Sequence, residues 1–264
     1  MWVRLEFNVF GMSAKESFYN FGGPGPATFI HFAHALSERG GLGIDLEKGI
    51  VPLVSKVDLV GFKKNTMRFC APKPADKIQG NVGRIPIPRM NVRGGIVFYV
   101  TKTMTKDILE NIGSILLSMR FGGGIVKIGR RVVVADLEGL VQSYRGFFPV
   151  QKRLSLENLP QSRRETITTL ENRQPDILDC LIHETSLERG KRGWKKVFLA
   201  GYRFLNEPIA REDARRMTDR DVHVFAEPVL GLIEWRSTKT AGKTPAVWRF
   251  DINEEGIRYS TFKD

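Results

Sequence analysis

Cysteine is nearly absent from this chain of 264 residues: Cys70 and Cys180 are the only two, with no paired spacing. That excludes a disulfide framework and a zinc ribbon. It fits a reducing compartment, so a cytoplasmic location is expected. Histidine is also scarce, with His31, His34, His183 and His223 alone. His31 and His34 are three apart on one segment, but no third ligand or carboxylate stands beside them. No metal and no cofactor is therefore expected. A Gly-x-Ser-x-Gly elbow, a Cys–His signature and clustered acids for two metal ions are all missing. Glu6, Asp45 and Asp58 stand singly and read as surface acids. No apolar run approaches the roughly 18 residues of a membrane span. The first stretch, "MWVRLEFNVFG", alternates polar and apolar residues where a signal peptide needs a basic start and an unbroken apolar run. No internal repeat and no low-complexity segment is found.

Acidic residues are missing where basic ones gather. The formal charge is +12. Residues 61–106 hold ten Lys or Arg and a single acid, Asp76, a balance of +9. Residues 120–153 hold seven bases against Asp136 and Glu138, or +5, which leaves the remainder at −2. A basic protein with its charge segregated in this way is expected to meet a polyanion.

Hydrophobic periodicity gives a coarse outline. "VRLEFNVF" (3–10) puts Val3, Leu5, Phe7 and Val9 on one face of a strand. "NFGGPGPA" then opens a helix, with Pro26 suited to its first turn and Phe29, Phe32, Ala33 and Leu36 on its apolar side. Gly40 and Gly41 end it. Strands are expected at 50–60 and 93–103, a helix at 105–119 and a further strand in "GRRVVVADL". Strand, helix, strand, strand, helix, strand is the order of the ferredoxin-like split unit, which also underlies RNA-recognition modules. The expectation is an α+β protein. Residues 1–150 would form the ferredoxin-like domain, with a proline-rich basic arm inserted at about 61–92. Residues 151–264 would form a helical connection and a mixed C-terminal region packed on it. Strand-like "KKVFLAGYRF" and "AVWRFDI" flank a helical "EDARRMTDRD" there.

"RFGGGIVKIGRR" (120–131) is the most suggestive stretch. It is not a Walker A loop, because Gly129 is followed by Arg130 rather than by Lys and Ser or Thr. Nor is it a dinucleotide fingerprint. Gly122, Gly123 and Gly124 lack Cβ atoms, so their N–H groups can approach a phosphate closely, with Arg120, Lys127, Arg130 and Arg131 adding charge. The same glycines equally suit a sharp turn after a helix. Phe62, Phe69, Phe98 and Tyr99 interleave with the basic segment, as aromatic faces do where single-stranded RNA is stacked and held. Phe98 and Tyr99 are neighbours in a strand, so at least one must face inward.

Several blocks, in order, resemble a known family. "FGGPGPATFIHFAHAL" (21–36) is similar to a Gly/Pro turn followed by an aromatic-rich helix with His-Ala-Leu. "MRFGGGIV" (119–126) is similar to a Met-Arg-x-x-Gly-Gly segment. "GW" (193–194) with "AGY" (200–202), and "GLIEW" (231–235), are similar to two further blocks. The family is the 5′-handle-binding subunit of type I-F CRISPR surveillance (Csy) complexes, of the RAMP superfamily. The chain differs in being shorter between the second glycine block and Gly193, and in carrying "KKVFL" after Trp194. Those differences point to a compact variant or a type IV relative.

The resemblance implies a non-catalytic subunit that holds the 5′ handle of the guide RNA. Its implied partners are the RNA, backbone RAMP subunits, a large subunit and, through the complex, target double-stranded DNA. No membrane is implied. Arg120, Phe121, Gly122, Gly123 and Gly124 would form a handle-binding loop, with Lys127, Arg130 and Arg131 on phosphates. Lys63, Lys64, Arg89 and Arg93 would steer and clamp RNA from the arm. Two other readings stand beside it. One is a metal-independent endoribonuclease that processes the guide precursor, with His34 or His31 as base. The other is a general nucleic-acid-binding module without a complex.

Overall fold

The structure, a computed structural model, describes residues 1–17, 20–21, 23–60, 89–101, 106–186, 194–207, 209–210, 222–240 and 245–261. The alternation at the start becomes strand β1 (Trp2–Ser13), in which Val3, Leu5, Phe7 and Val9 are fully buried. A short pair, β2 (Lys15–Ser17) and β3 (Asn20–Phe21), precedes helix α1 (Pro26–Gly40). Proline in the first turn and Gly41 at φ 62° bound that helix as their chemistry requires. Its Phe29, Phe32, Ala33 and Leu36 are buried. Strands β4 (Ile44–Val60) and β5 (Arg89–Val100), helix α2 (Lys106–Ser118) and strands β6 (Arg120–Phe121) and β7 (Gly124–Ala135) follow.

After β7 comes the short helix α3 (Leu137–Gln142), capped by the Asp136 carboxylate, which accepts from the Gly139 N–H at 3.2 Å. Strand β8 (Phe147–Lys152), helices α4 (Gln161–Leu170) and α5 (Ile177–Ser186), and strands β9 (Trp194–Phe204), β10 (Ile209–Ala210), β11 (Val222–His223), β12 (Ala226–Ser237), β13 (Arg249–Asn253) and β14 (Gly256–Ser260) complete the order.

Ten of these strands make one antiparallel sheet, in the order β13-β14-β9-β12-β8-β4-β5-β1-β7-β6. The protein is thus α+β with a mostly antiparallel sheet. Within it, β1-α1-β4-β5 places the third strand between the first two, and β8-(α4, α5)-β9-β12 does the same. The sequence carries no repeat, yet the strand arrangement recurs. β8 spans residues 150 and 151, where the two expected regions would meet. The first part of the basic arm, 61–88, lies outside the described residues, as does "EDARRMTDRD". Residues 89–92 are strand rather than arm, because Met90 and Val92 alternate into the core.

The main core lies between the sheet and helices α1 and α2. Phe7, Phe29, Phe32, Phe98 and Phe121 fill it, together with Phe198, Ile233, Trp248 and Tyr259 from the C-terminal strands. A smaller core sits on the opposite side, where Leu140, Val141, Tyr144 and Phe148 cover Val51, Leu53 and Val97. Helix α3 and the turn after it thus cap one end of the second face and leave the rest of it open.

Candidate nucleic-acid interface

Strand geometry decides which side chains share the open face. Val3, Leu5, Phe7 and Val9 of β1 point toward α1 and α2, so Arg4, Glu6, Asn8 and Phe10 point the other way. In register, Asn8 stands opposite Arg93 on β5 and Lys127 on β7, and Phe10 stands opposite Ile125, which faces Arg120 on β6. Directly opposed residues share a face. Arg93, Lys127 and Arg120 are therefore carried onto one surface by three strands, with Phe10 among them. All four side chains are exposed, and the Lys127 ammonium lies 5.7 Å from the centre of the Phe10 ring. Arg89, at the end of β5, donates to the Gly11 carbonyl at 2.8 Å.

The glycine block forms the tight hairpin between β6 and β7. Gly122 and Gly123 have φ of 53° and 80°, which suits a two-residue turn with both central residues left-handed. A Cβ at Gly122 would meet Met12 Cε at 2.6 Å. One at Gly124 would meet Val9 Cγ1 at 2.6 Å and the Met12 backbone nitrogen at 2.8 Å. At Gly123 nothing lies within 4 Å. The Ser13 N–H donates to the Gly122 carbonyl at 3.0 Å, which ties the hairpin to β1. Phe121, expected at the RNA, is instead a core residue. It occupies the inward position of β6 and packs on Phe7, Phe29 and Phe32 at centroid distances of 5.3, 4.9 and 5.2 Å.

A cavity of about 720 Å³ opens on the same face, between β1, β4, β5 and the turn after α3. Arg4 forms its floor at 5% exposure. The guanidinium donates to the Leu140 carbonyl and to Ser143 Oγ at 2.7 Å, pairs with Glu6 at 3.0 Å, and lies 5.6 Å from the centre of the Tyr144 ring. Its Nε is buried without a hydrogen-bond partner. The Tyr144 hydroxyl is buried beside the Ser55 side chain, in a residue only 6% exposed. Burial pushes the phenol up to about 12, so it stays protonated at neutral pH. Arg93 and Arg145 stand exposed at the mouth, and neither pairs with a described carboxylate. Glu6, expected as a solitary surface acid, is half of a partly buried ion pair because the two-residue period of β1 sets it beside Arg4 on one face.

His31 and His34 sit on helix α1, on the opposite side of the sheet. His31 shares a 2.7 Å hydrogen bond with the Tyr259 hydroxyl, tying α1 to β14. Burial, and then the neighbouring His34, lowers its pKa, while burial raises the Tyr259 phenol to about 12. His34 faces solvent. The two candidate bases are therefore not brought to the basic face. Phe98 is buried, and Tyr99 is engaged by Lys48 at 3.3 Å and by Trp2 at 5.5 Å. Arg130 and Arg131 lie in β7, with side chains outside the described residues, and Lys63, Lys64, Phe62 and Phe69 lie outside them altogether. No group of three or more potential metal ligands forms among the described residues.

No family model matches the chain, and no curated protein matches it either. Sequence reasoning passed over Arg4, Asn8, Phe10, Tyr144 and Arg145. For β1 the signal was present, since the positions between the apolar ones are Arg, Glu, Asn and Phe. For Tyr144 and Arg145 there was none, because only the chain reversal after α3 sets them over the sheet.

Proposed function

We propose that this protein binds single-stranded RNA on the open face of its sheet. In this reading it is the non-catalytic subunit that holds the guide RNA 5′ handle in a type I-F-like DNA-targeting complex. The observation that carries the RNA reading is the row Arg93, Lys127 and Arg120 with exposed Phe10 between them. Cations around an aromatic face on a sheet are the means by which backbone and base are held together. The overall charge of +12 supports it. The β1-α1-β4-β5-α2-β7 array, with its strands ordered β4-β5-β1-β7, is read here as the ferredoxin-like unit on which RNA-recognition sheets are built. The assignment to a guide RNA complex rests on the ordered sequence blocks. On this reading the backbone subunits, the large subunit and target DNA are met through the assembly.

The test is a double charge reversal, Arg120→Glu with Lys127→Glu, in the purified chain. Binding of a repeat-derived RNA is expected to fall at least tenfold, and the log–log salt slope to shrink by about 1.4, at about 0.7 per lost phosphate contact. The melting temperature is expected to hold, because both side chains are exposed. Unchanged affinity and slope would remove this face from the reading. Sequencing the RNA that co-purifies from native cells separates guide RNA from other RNA.

A further inference from the structure

Strand register also builds an apolar surface on the other side of the sheet, at the ends of the C-terminal strands. Ile252 on β13 stands opposite Ile257 on β14, Ile257 opposite Tyr202 on β9, and Tyr202 opposite Pro228 on β12. Directly opposed residues share a face, so they form one row across these strands. The face is that of the main core, because Tyr202 and Ile257 pack against it. Phe204, two residues beyond Tyr202 on β9, extends the row on the same face. Helix α1 meets this face at Tyr259, through His31. Past that point Ile252 is 63% exposed, Pro228 is exposed, and Tyr202, Phe204 and Ile257 are half-buried. A contiguous apolar patch of this kind marks an interaction surface.

The charges beside the row have one sign. The turn between β13 and β14 carries Glu254 and Glu255, both exposed and neither in an ion pair among the described residues. The Phe204 N–H donates to the Glu255 carbonyl at 2.8 Å, which sets that turn beside the row. Arg203 and Arg258 are chain neighbours of Tyr202 and Ile257, so they alternate to the opposite face.

We propose that this surface docks an amphipathic helix of a partner protein, with its apolar side on the row and its lysines or arginines toward Glu254 and Glu255. Helices α1 and α2 cover the adjoining part of the same face, and a helix here would continue that layer. RNA would bring phosphates against the two acids, and a second copy would bring the same acids against each other. Charge therefore favours a basic protein segment over both. The inference does not rest on the RNA reading, because the row lies on the side of the sheet opposite Arg93, Lys127 and Arg120.

The probe is a synthetic amphipathic helix of about 18 residues, or five turns, with a leucine stripe and lysine flanks. The same helix with glutamate flanks and a scrambled sequence are the controls. Fluorescence anisotropy measures their binding to the whole chain, to Ile252→Asp, and to Glu254→Lys with Glu255→Lys. The wild type is expected to bind the lysine-flanked helix about tenfold more tightly than either control, and Ile252→Asp to lose about tenfold, the effect of one interface anchor. Attraction by charge alone would instead be strengthened by the added carboxylate. The double lysine variant should invert the preference between the two helices. Melting temperatures are expected to hold, because the replaced side chains are exposed. Binding of no peptide, equal binding of all of them, or tighter binding to Ile252→Asp overturns the helix site. Sedimentation that shows self-association of the wild type, abolished in Ile252→Asp, assigns the face to a second copy and overturns it as well. Arg120→Glu with Lys127→Glu should leave peptide binding unchanged, so this inference and the RNA reading fail separately.

Discussion

Asp179 shows how one side chain can organise a surface helix. Its carboxylate accepts from both terminal nitrogens of Arg173, at 2.8 and 2.6 Å, and from the Asp176 N–H at 2.9 Å. The Arg173 hydrogen bonds, first, and the Asp176 N–H, second, hold the carboxyl at about 2. The folded value lies below the unfolded one, so the contribution to stability is complete above about pH 4 and is lost as pH falls through about 2. Asp179→Asn should therefore flatten the acid limb of the melting temperature between about pH 4 and pH 2. Calorimetry across that window checks it, and an unchanged slope would mean that another carboxylate governs the limb. The sequence predicts only a helical connection here, and that Arg173 folds back onto Asp179 is a fact of the turn before α5. Arg4 teaches the same lesson. Its place between apolar neighbours predicts a solvated face, and only the segment after α3 covers it.

At the scale of the element, the β6–β7 hairpin separates glycines that a sequence presents as equal. Gly124→Ala would drive a Cβ into Val9 and the Met12 backbone, so a loss of about 1–3 kcal/mol is expected. Gly123→Asn would meet only solvent at a φ of 80°, a region Asn tolerates, so its cost should stay within about 1 kcal/mol. Urea midpoints of the two variants give the comparison, and a larger loss at 123 than at 124 would contradict the packing account. The turn was one of two readings that the glycines allowed, a phosphate-binding loop being the other. The place of Phe121 was not legible, since an aromatic next to an arginine and glycines looks like an RNA contact until the strand's inward side is known. Helix α1 is the opposite case: its bounding Pro and Gly and its apolar spacing fixed both ends and the buried side.

For the whole molecule, one sheet and one main core join the two halves. β4 and β8 share a single registered pair, Val54 with Phe147. Yet Ile50 and Trp248 exchange backbone hydrogen bonds of 2.8 and 2.7 Å, and the Trp248 indole N–H reaches the Pro149 carbonyl at 2.8 Å. Phe198, Trp248 and Tyr259 belong to the same apolar cluster as Phe7 and Phe29. A single thermal transition with matching calorimetric and van't Hoff enthalpies is therefore expected, and two resolved transitions would overturn this. The sequence by itself determined what depends on local chemistry: the periodicity of β1 and α1, the helix ends, the turn glycines and the segregation of charge. Tertiary structure alone decided what depends on distant pairing. It continued the sheet through the C-terminal strands, brought Arg93, Lys127 and Arg120 to one face, and enclosed Arg4 beneath the segment after α3. Register is the physical reason. A shift of one residue turns every side chain of a strand to the other face, and register is set by contacts between segments far apart in the chain.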